Sequence, residues 1–142
     1  MENTKIYCNL DNIVKKLKST NDPKRKYEYI LWLGKKLPLP NKNILIPEYK
    51  VRGCVSEVYV KGTLKNDKVF WEGYSDALIT KGLLSFLIKG LDSLSPNEIL
   101  SLKNNFIDDT GLKKSLTPSR SNGFLNILLK MKSQANSLLI TQ

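Results

Sequence analysis

Histidine is absent from this 142-residue chain, and cysteine occurs twice, as Cys8 and Cys54. That removes a Ser-His-Asp triad, a Cys-His dyad and any His-based zinc site. A thiol remains able to do covalent chemistry. Cys54 stands in Val51-Arg52-Gly53-Cys54-Val55-Ser56-Glu57-Val58, where a proline-containing stretch enters an alternating segment. One reading makes it a small hydrophobe at a strand end, since free cysteines are commonly buried. The other makes it a loop-tip thiol. Gly53 then allows another molecule to approach closely. Arg52 or Lys50 is placed to favour the thiolate, a task no histidine can perform here.

Two further clusters carry polar groups at junctions. The first is Glu72-Gly73-Tyr74-Ser75-Asp76-Ala77, followed by Lys81-Gly82-Leu83. Ser75 or Asp76 at a strand-to-helix junction reads as an N-cap, worth about 1 kcal/mol. The second is Leu116-Thr117-Pro118-Ser119-Arg120-Ser121-Asn122-Gly123. Thr117-Pro118 starts a helix, which leaves Arg120 unexplained. A cation in a first helical turn opposes the positive end of the macrodipole. Arg120 is therefore expected to hold a carboxylate or carbonyl, with Asp76 the candidate across the fold.

The elements that position these groups are legible from periodicity. Leu10, Ile13, Val14 and Leu17 follow helical spacing, which predicts a helix near 9–19. Asp22 offers an N-cap with Pro23 after it, predicting a helix to about Lys36 with Tyr27, Ile30, Leu31 and Leu33 or Gly34 facing the core. Pro38, Pro40 and Pro47 keep the next stretch irregular. Val58 and Val60 then alternate with polar residues as in a half-buried strand. Asn66-Asp67 marks a turn between Gly62–Lys65 and Val69–Glu72. Helical patterns return near 76–89, after the capping box Ser95-Pro96-Asn97-Glu98, and from Thr117 with the stripe Phe124, Ile127, Leu128, Met131 and Ala135. The expected class is α+β: a small antiparallel sheet of about three strands with helices mainly on one face.

A composition of 41% hydrophobic and 25% charged residues is that of a globular chain. Its length predicts a single domain over 1–142. The net charge is +10, yet Arg25, Arg52 and Arg120 are the only arginines. Bidentate base reading relies on arginine, and the lysines are dispersed. A solvated lysine-rich surface is the expectation, with no nucleic acid partner, although an acidic protein partner stays open. Glu2, Asp11 and the lack of Arg before Arg25 argue against a signal or transit peptide. Ala77–Leu91 is interrupted by Lys81 and Lys89 and is too short to span a bilayer. These features predict a cytoplasmic chain with reduced thiols and no membrane association.

Taken together, in this order and spacing, the three clusters resemble the SufE family of sulfur-acceptor proteins. The carriers are Gly53-Cys54-Val55-Ser56-Glu57-Val58; Ser75-Asp76-Ala77 with Lys81-Gly82-Leu83; and Leu116-Thr117-Pro118-Ser119-Arg120 with Gly123. Lys26-Tyr27-Glu28-Tyr29-Ile30 with Leu33–Pro38 looks like the family's second helix. The likeness runs from about residue 10 to 135. It departs at Tyr59, where tryptophan is frequent, at Tyr74, where an acid is common, and at Arg52, where an uncharged residue is. Cys8 matches no motif of the family.

The resemblance implies that Cys54 accepts persulfide sulfur from a pyridoxal-phosphate cysteine desulfurase of SufS type. It also implies that the chain stimulates that enzyme and hands the sulfur to a cluster scaffold of SufB type. No cofactor is then needed on this chain, because pyridoxal phosphate resides in the partner. Arg52, Gly53, Ser56, Asp76 and Arg120 become the loop and docking residues. The family's resting loop holds its thiol inward, so opening on docking is implied, and the chain acts as a monomer or homodimer. The plastid stroma is the other compartment compatible with this role. Two rivals make opposite predictions. A basic nucleic-acid module would bind in a salt-sensitive way indifferent to Cys54. A thiol redox sensor would pair Cys54 with Cys8 under oxidation.

Overall fold

The computed structural model describes residues 8–140. The leader expectation rests in part on residues 1–7, outside that range. The described chain runs α1 (Cys8–Lys18), α2 (Pro23–Lys35), two short 3-10 turns, β1 (Val58–Lys65), β2 (Lys68–Ser75), α3 (Leu78–Leu91), α4 (Pro96–Ser101), α5 (Phe106–Asp109), a third 3-10 turn and α6 (Pro118–Ile140). None of its helices is long and apolar enough to cross a membrane.

The α+β class stands, with one correction. Among the described residues the sheet has two strands, not three. Gly62–Lys65 simply continues the strand begun at Val58. β1 and β2 pair antiparallel from Val58↔Ser75 to Lys65↔Lys68. Asn66 and Asp67 turn the hairpin with φ of 54° and 65°, the left-handed pair that a two-residue hairpin turn needs. Further strands are reduced to single bridges, Lys50↔Tyr59 and Val69↔Leu94. Pro47 lies three residues before one bridge and has no N–H to pair. Ser93, at φ 66°, turns the chain beside the other.

Helix α3 is the axis of the molecule. Eleven of its fourteen residues are buried, as expected of a helix apolar nearly all round. It packs on α1, α2, α6 and β2. Gly82 lets α2 cross it closely: a Cβ there would lie 2.1 Å from the Ile30 carbonyl oxygen. That oxygen belongs to the α2 backbone and cannot rotate aside. Gly82→Ala is expected to destabilise the fold by about 1–3 kcal/mol through overpacking. Urea unfolding checks this, and an unchanged midpoint would show that the helices separate freely.

The caps are as expected at α2, where Asp22 accepts from Lys24 N at 3.0 Å, and at α4, where the Ser95/Glu98 box is complete. α3 differs. It starts at Leu78 after Ala77, without a side-chain cap. Ser75 Oγ instead accepts from Ala77 N at 3.3 Å, and Asp76 is used elsewhere. On α2, Ile30, Leu33 and Gly34 are buried as expected, but Tyr27 is exposed. Lys26 takes an inward place, its Nζ donating to the carbonyls of Leu17 and Thr110. It thereby closes the C-terminal end of α1, which has unsatisfied carbonyls. Burial, and then the neighbouring Lys114, lower its pKa from the ordinary lysine value.

Candidate functional site

Cys54 rides on a short excursion between the second 3-10 turn and β1. Val51 N donates to Val58 O at 2.8 Å and closes the base. Residues 52–57 project from that point and lie against α6. Gly53 takes φ +80°, a left-handed value that favours glycine. Arg52 and Gly53 are exposed, while Cys54 is only partly so. The thiol packs at the margin of the core cluster, and its Sγ lies 3.7 Å from the Gly123 carbonyl oxygen. A Cβ at Gly123 would lie 3.4 Å from Sγ, about contact distance, so the sulfur rests close against this turn of α6. The α6 backbone at Gly123 thus adds a polar contact to the apolar margin on which the thiol rests.

Arg120 corrects the expected ion pair. Its Nη1 donates to Ser56 Oγ and to Thr80 Oγ1, each at 2.6 Å. Asp76 serves a different donor, accepting from Glu57 N at 3.0 Å. Both devices act on the trailing side of the Cys54 loop. Arg120 ties Ser56 to α6 and α3, and Asp76 ties Glu57 to the start of α3. Thr117 Oγ1 accepts from Arg120 N at 3.3 Å, so the cap of α6 also sets where the guanidinium begins. Lys50 pairs with Glu57 at 3.1 Å across the base. The Glu57 carboxyl is held below the usual carboxylate range by hydrogen bonds from Lys50 and Tyr59 and by the Lys50 charge.

The structure therefore brings together Cys54, Gly53, Ser56, Asp76 and Arg120, with Arg52 on the outer rim. Thr80, Asn126 and Gly123 belong to the same neighbourhood and carry functions that motif reading did not assign. Asn126 Nδ2 donates to the Gly53 carbonyl at 3.1 Å. Thr80 lies in the first turn of α3, four residues after Asp76. Cys8, exposed at the start of α1, accepts a weak hydrogen bond from Asn12 Nδ2 at 3.6 Å.

Burial pushes the Cys54 thiol pKa up, and the Arg120 charge only partly offsets this. The carbonyl of Gly123 acts in the same direction as burial, because it accepts from S–H and repels a thiolate. Cys54 is thus mostly protonated near neutral pH. Its alkylation rate, followed against pH, should rise with a midpoint above the ordinary thiol value of about 8.5. A midpoint below that value would contradict the closed geometry. Because the folded-state pKa is raised, Cys54 supports the closed fold below its unfolded pKa. That support is lost as pH rises through the folded value.

What this arrangement can do is narrow. It shields one nucleophilic sulfur, keeps it neutral and ties its loop by a handful of hydrogen bonds. The sequence matches the family model described as "SufE: Fe-S metabolism associated domain" over residues 11–135. It is 45% identical over 142 residues to an uncharacterised SufE-like protein of Synechocystis, covering all of this chain and 89% of that protein. It is 42% identical over 124 residues to a protein of Plasmodium vivax named cysteine desulfuration protein SufE, covering 84% of this chain and 49% of that one. SufE-like protein 1 of Arabidopsis thaliana, named chloroplastic/mitochondrial, is 41% identical over 127 residues, or 89% of this chain and 34% of its own length. The chain thus spans half or less of these last two relatives. A solution structure of a hypothetical protein from Thermus thermophilus shares the fold, with a TM-score of 0.80 at 23% identity over 93% of this chain and 96% of that one.

Proposed function

The chain belongs to the SufE family, and from that premise we propose that Cys54 is a sulfur acceptor for a cysteine desulfurase. The reaction is a thiol exchange. The Cys54 thiolate attacks the terminal sulfur of the desulfurase persulfide. A new S–S bond forms on Cys54, the old one breaks, and the desulfurase cysteine leaves as a thiolate. Clearing that persulfide frees the enzyme for its next turnover, which is the source of stimulation. Pyridoxal phosphate remains the partner's cofactor. A second exchange passes the sulfur to an iron–sulfur scaffold of SufB type. Both exchanges need reduced thiols, which fits the cytoplasm or a plastid stroma.

The observation that carries this reading is the setting of Cys54: a half-buried thiol on a short loop, tied from both sides by donors of one helix. A sulfane sulfur left in water is open to reductants and stray thiols, so a carrier gains from such shelter. A redox sensor gains from the opposite, an accessible low-pKa thiol. The decisive experiment is intact-mass and peptide spectrometry after incubation with a cysteine desulfurase and cysteine. Added sulfur on Cys54, removable by a reductant, is the expected result. Sulfur found only on Cys8, or on neither cysteine, would refute the proposal.

A further inference from the structure

The Cys54 loop is fastened to α6 at two points that bracket the thiol. On the trailing side Arg120 holds Ser56. On the leading side Asn126 Nδ2 donates to the Gly53 carbonyl at 3.1 Å. Gly123, Asn126 and Lys130 follow i, i+3, i+7 spacing and so share one face of α6. Gly123 receives the sulfur, Asn126 receives Gly53, and Lys130 Nζ donates to Glu48 O at 2.8 Å. Glu48 lies before the Val51–Val58 base bond, so Lys130 anchors the root of the loop and not its moving part.

We infer that Asn126 is the latch of this loop: a positioning residue that sets how often Cys54 is exposed. The inference rests on the sulfur-acceptor reading for its use, but the latch itself operates without any partner. Gly53 and Asn126 are matched to one another. Gly53 takes φ +80°, and a Cβ at that position would come within 2.6 Å of Asn126 Nδ2. A single neutral hydrogen bond biases an opening equilibrium by roughly two- to tenfold. That is enough to keep the thiol sheltered between encounters. It is weak enough for a docking partner to overcome with modest contacts of its own.

The test is alkylation of Cys54 by iodoacetamide at fixed pH in a Cys8→Ser background, comparing Asn126 with Asn126→Ala and Asn126→Leu. The leucine keeps the size and neutral charge and removes the Nδ2 donor, so it remains informative should the alanine variant fold poorly. Both variants should label about two- to tenfold faster. Amide exchange should rise over residues 52–57 and stay unchanged in α3 and the rest of α6. The pH midpoint of labelling should also move down, because a released thiol is less buried. Unchanged labelling and exchange at the loop would overturn the latch, as would a loosening spread through α6. No desulfurase enters this assay. Its failure therefore leaves the acceptor role standing, and absent sulfur transfer alongside faster labelling would leave the latch standing instead.

Discussion

Cys54→Ser is expected to abolish sulfur acceptance and desulfurase stimulation while the fold persists. The thiolate is the attacking species in sulfur exchange, and a serine hydroxyl supplies no counterpart at working pH. The replacement is nearly isosteric, and its hydroxyl can donate to the Gly123 carbonyl where the thiol does. Its effect on stability should therefore stay within about 0.5 kcal/mol, as for a substitution that leaves packing intact. Cys8→Ser is the paired control. Cys8 is exposed at the start of α1, outside the neighbourhood of Arg120 and Gly123, so its loss should leave transfer unchanged. Cysteine turnover by the desulfurase, measured with each variant added, decides the matter. Equal stimulation by wild type and Cys54→Ser would mean that the chain activates its partner by docking alone.

The closed site explains why such a protein needs no strongly activated thiol. Burial and the Gly123 carbonyl hold the proton on Cys54, and Arg120 offsets only part of this. In the proposed acceptor role, reactivity would be postponed until the loop leaves α6. Once Cys54 is lifted away, desolvation no longer opposes the thiolate, and the same sulfur becomes a competent nucleophile. Exposure and activation are then one event, because both follow from parting the loop from one helix face.

Much of this could be read from the chain before folding, and the failures share a cause. Helices were legible where a period repeated, as in Leu10-Ile13-Val14-Leu17 and the α6 stripe from Phe124 to Ala135. Caps were legible where they are local, as at Asp22-Pro23 and Ser95–Glu98. The third strand was overcounted because the runs at Val58–Val60 and Gly62–Lys65 carry different patterns yet form one continuous strand, β1. Lys26 could not be read as buried, since what permits its burial is a pair of carbonyls from α1 and the segment after α5. The Asp76–Arg120 pairing followed from opposite charges alone. In the fold, neutral hydroxyls at Ser56 and Thr80 take the guanidinium, and a backbone amide takes the carboxylate. Asn126 was invisible for a similar reason. It lies beside the apolar stripe like any surface residue, and its partner Gly53 is 73 positions away.

Arg120→Ala should weaken desulfurase stimulation by about tenfold or more while leaving small-molecule labelling of Cys54 within the same order of rate. Each bond from the guanidinium to Ser56 and Thr80 is charge-assisted, a class worth about 1.5–3 kcal/mol when buried. Arg120 is part-exposed, so the lower end applies. Losing both frees the trailing flank of the loop and leaves the Thr80 hydroxyl without its cation inside the fold. A loop no longer presented in one geometry docks less productively. Labelling responds differently because two consequences oppose each other. Removing the positive charge raises the thiol pKa, whereas freeing Ser56 exposes the sulfur and lowers it. Arginine stays protonated at any working pH, so no proton transfer is lost with it. Arg120→Lys sharpens the comparison. It keeps the charge, but its shorter chain must bring the ammonium to the place from which Nη1 alone serves both hydroxyls, and it should fall between wild type and alanine. Stimulation retained in full by Arg120→Ala would remove Arg120 from loop positioning. Abolished labelling in a folded Arg120→Ala protein would instead make it a direct activator of the thiol, and the hydroxyl contacts at Ser56 and Thr80 would then be incidental to its role.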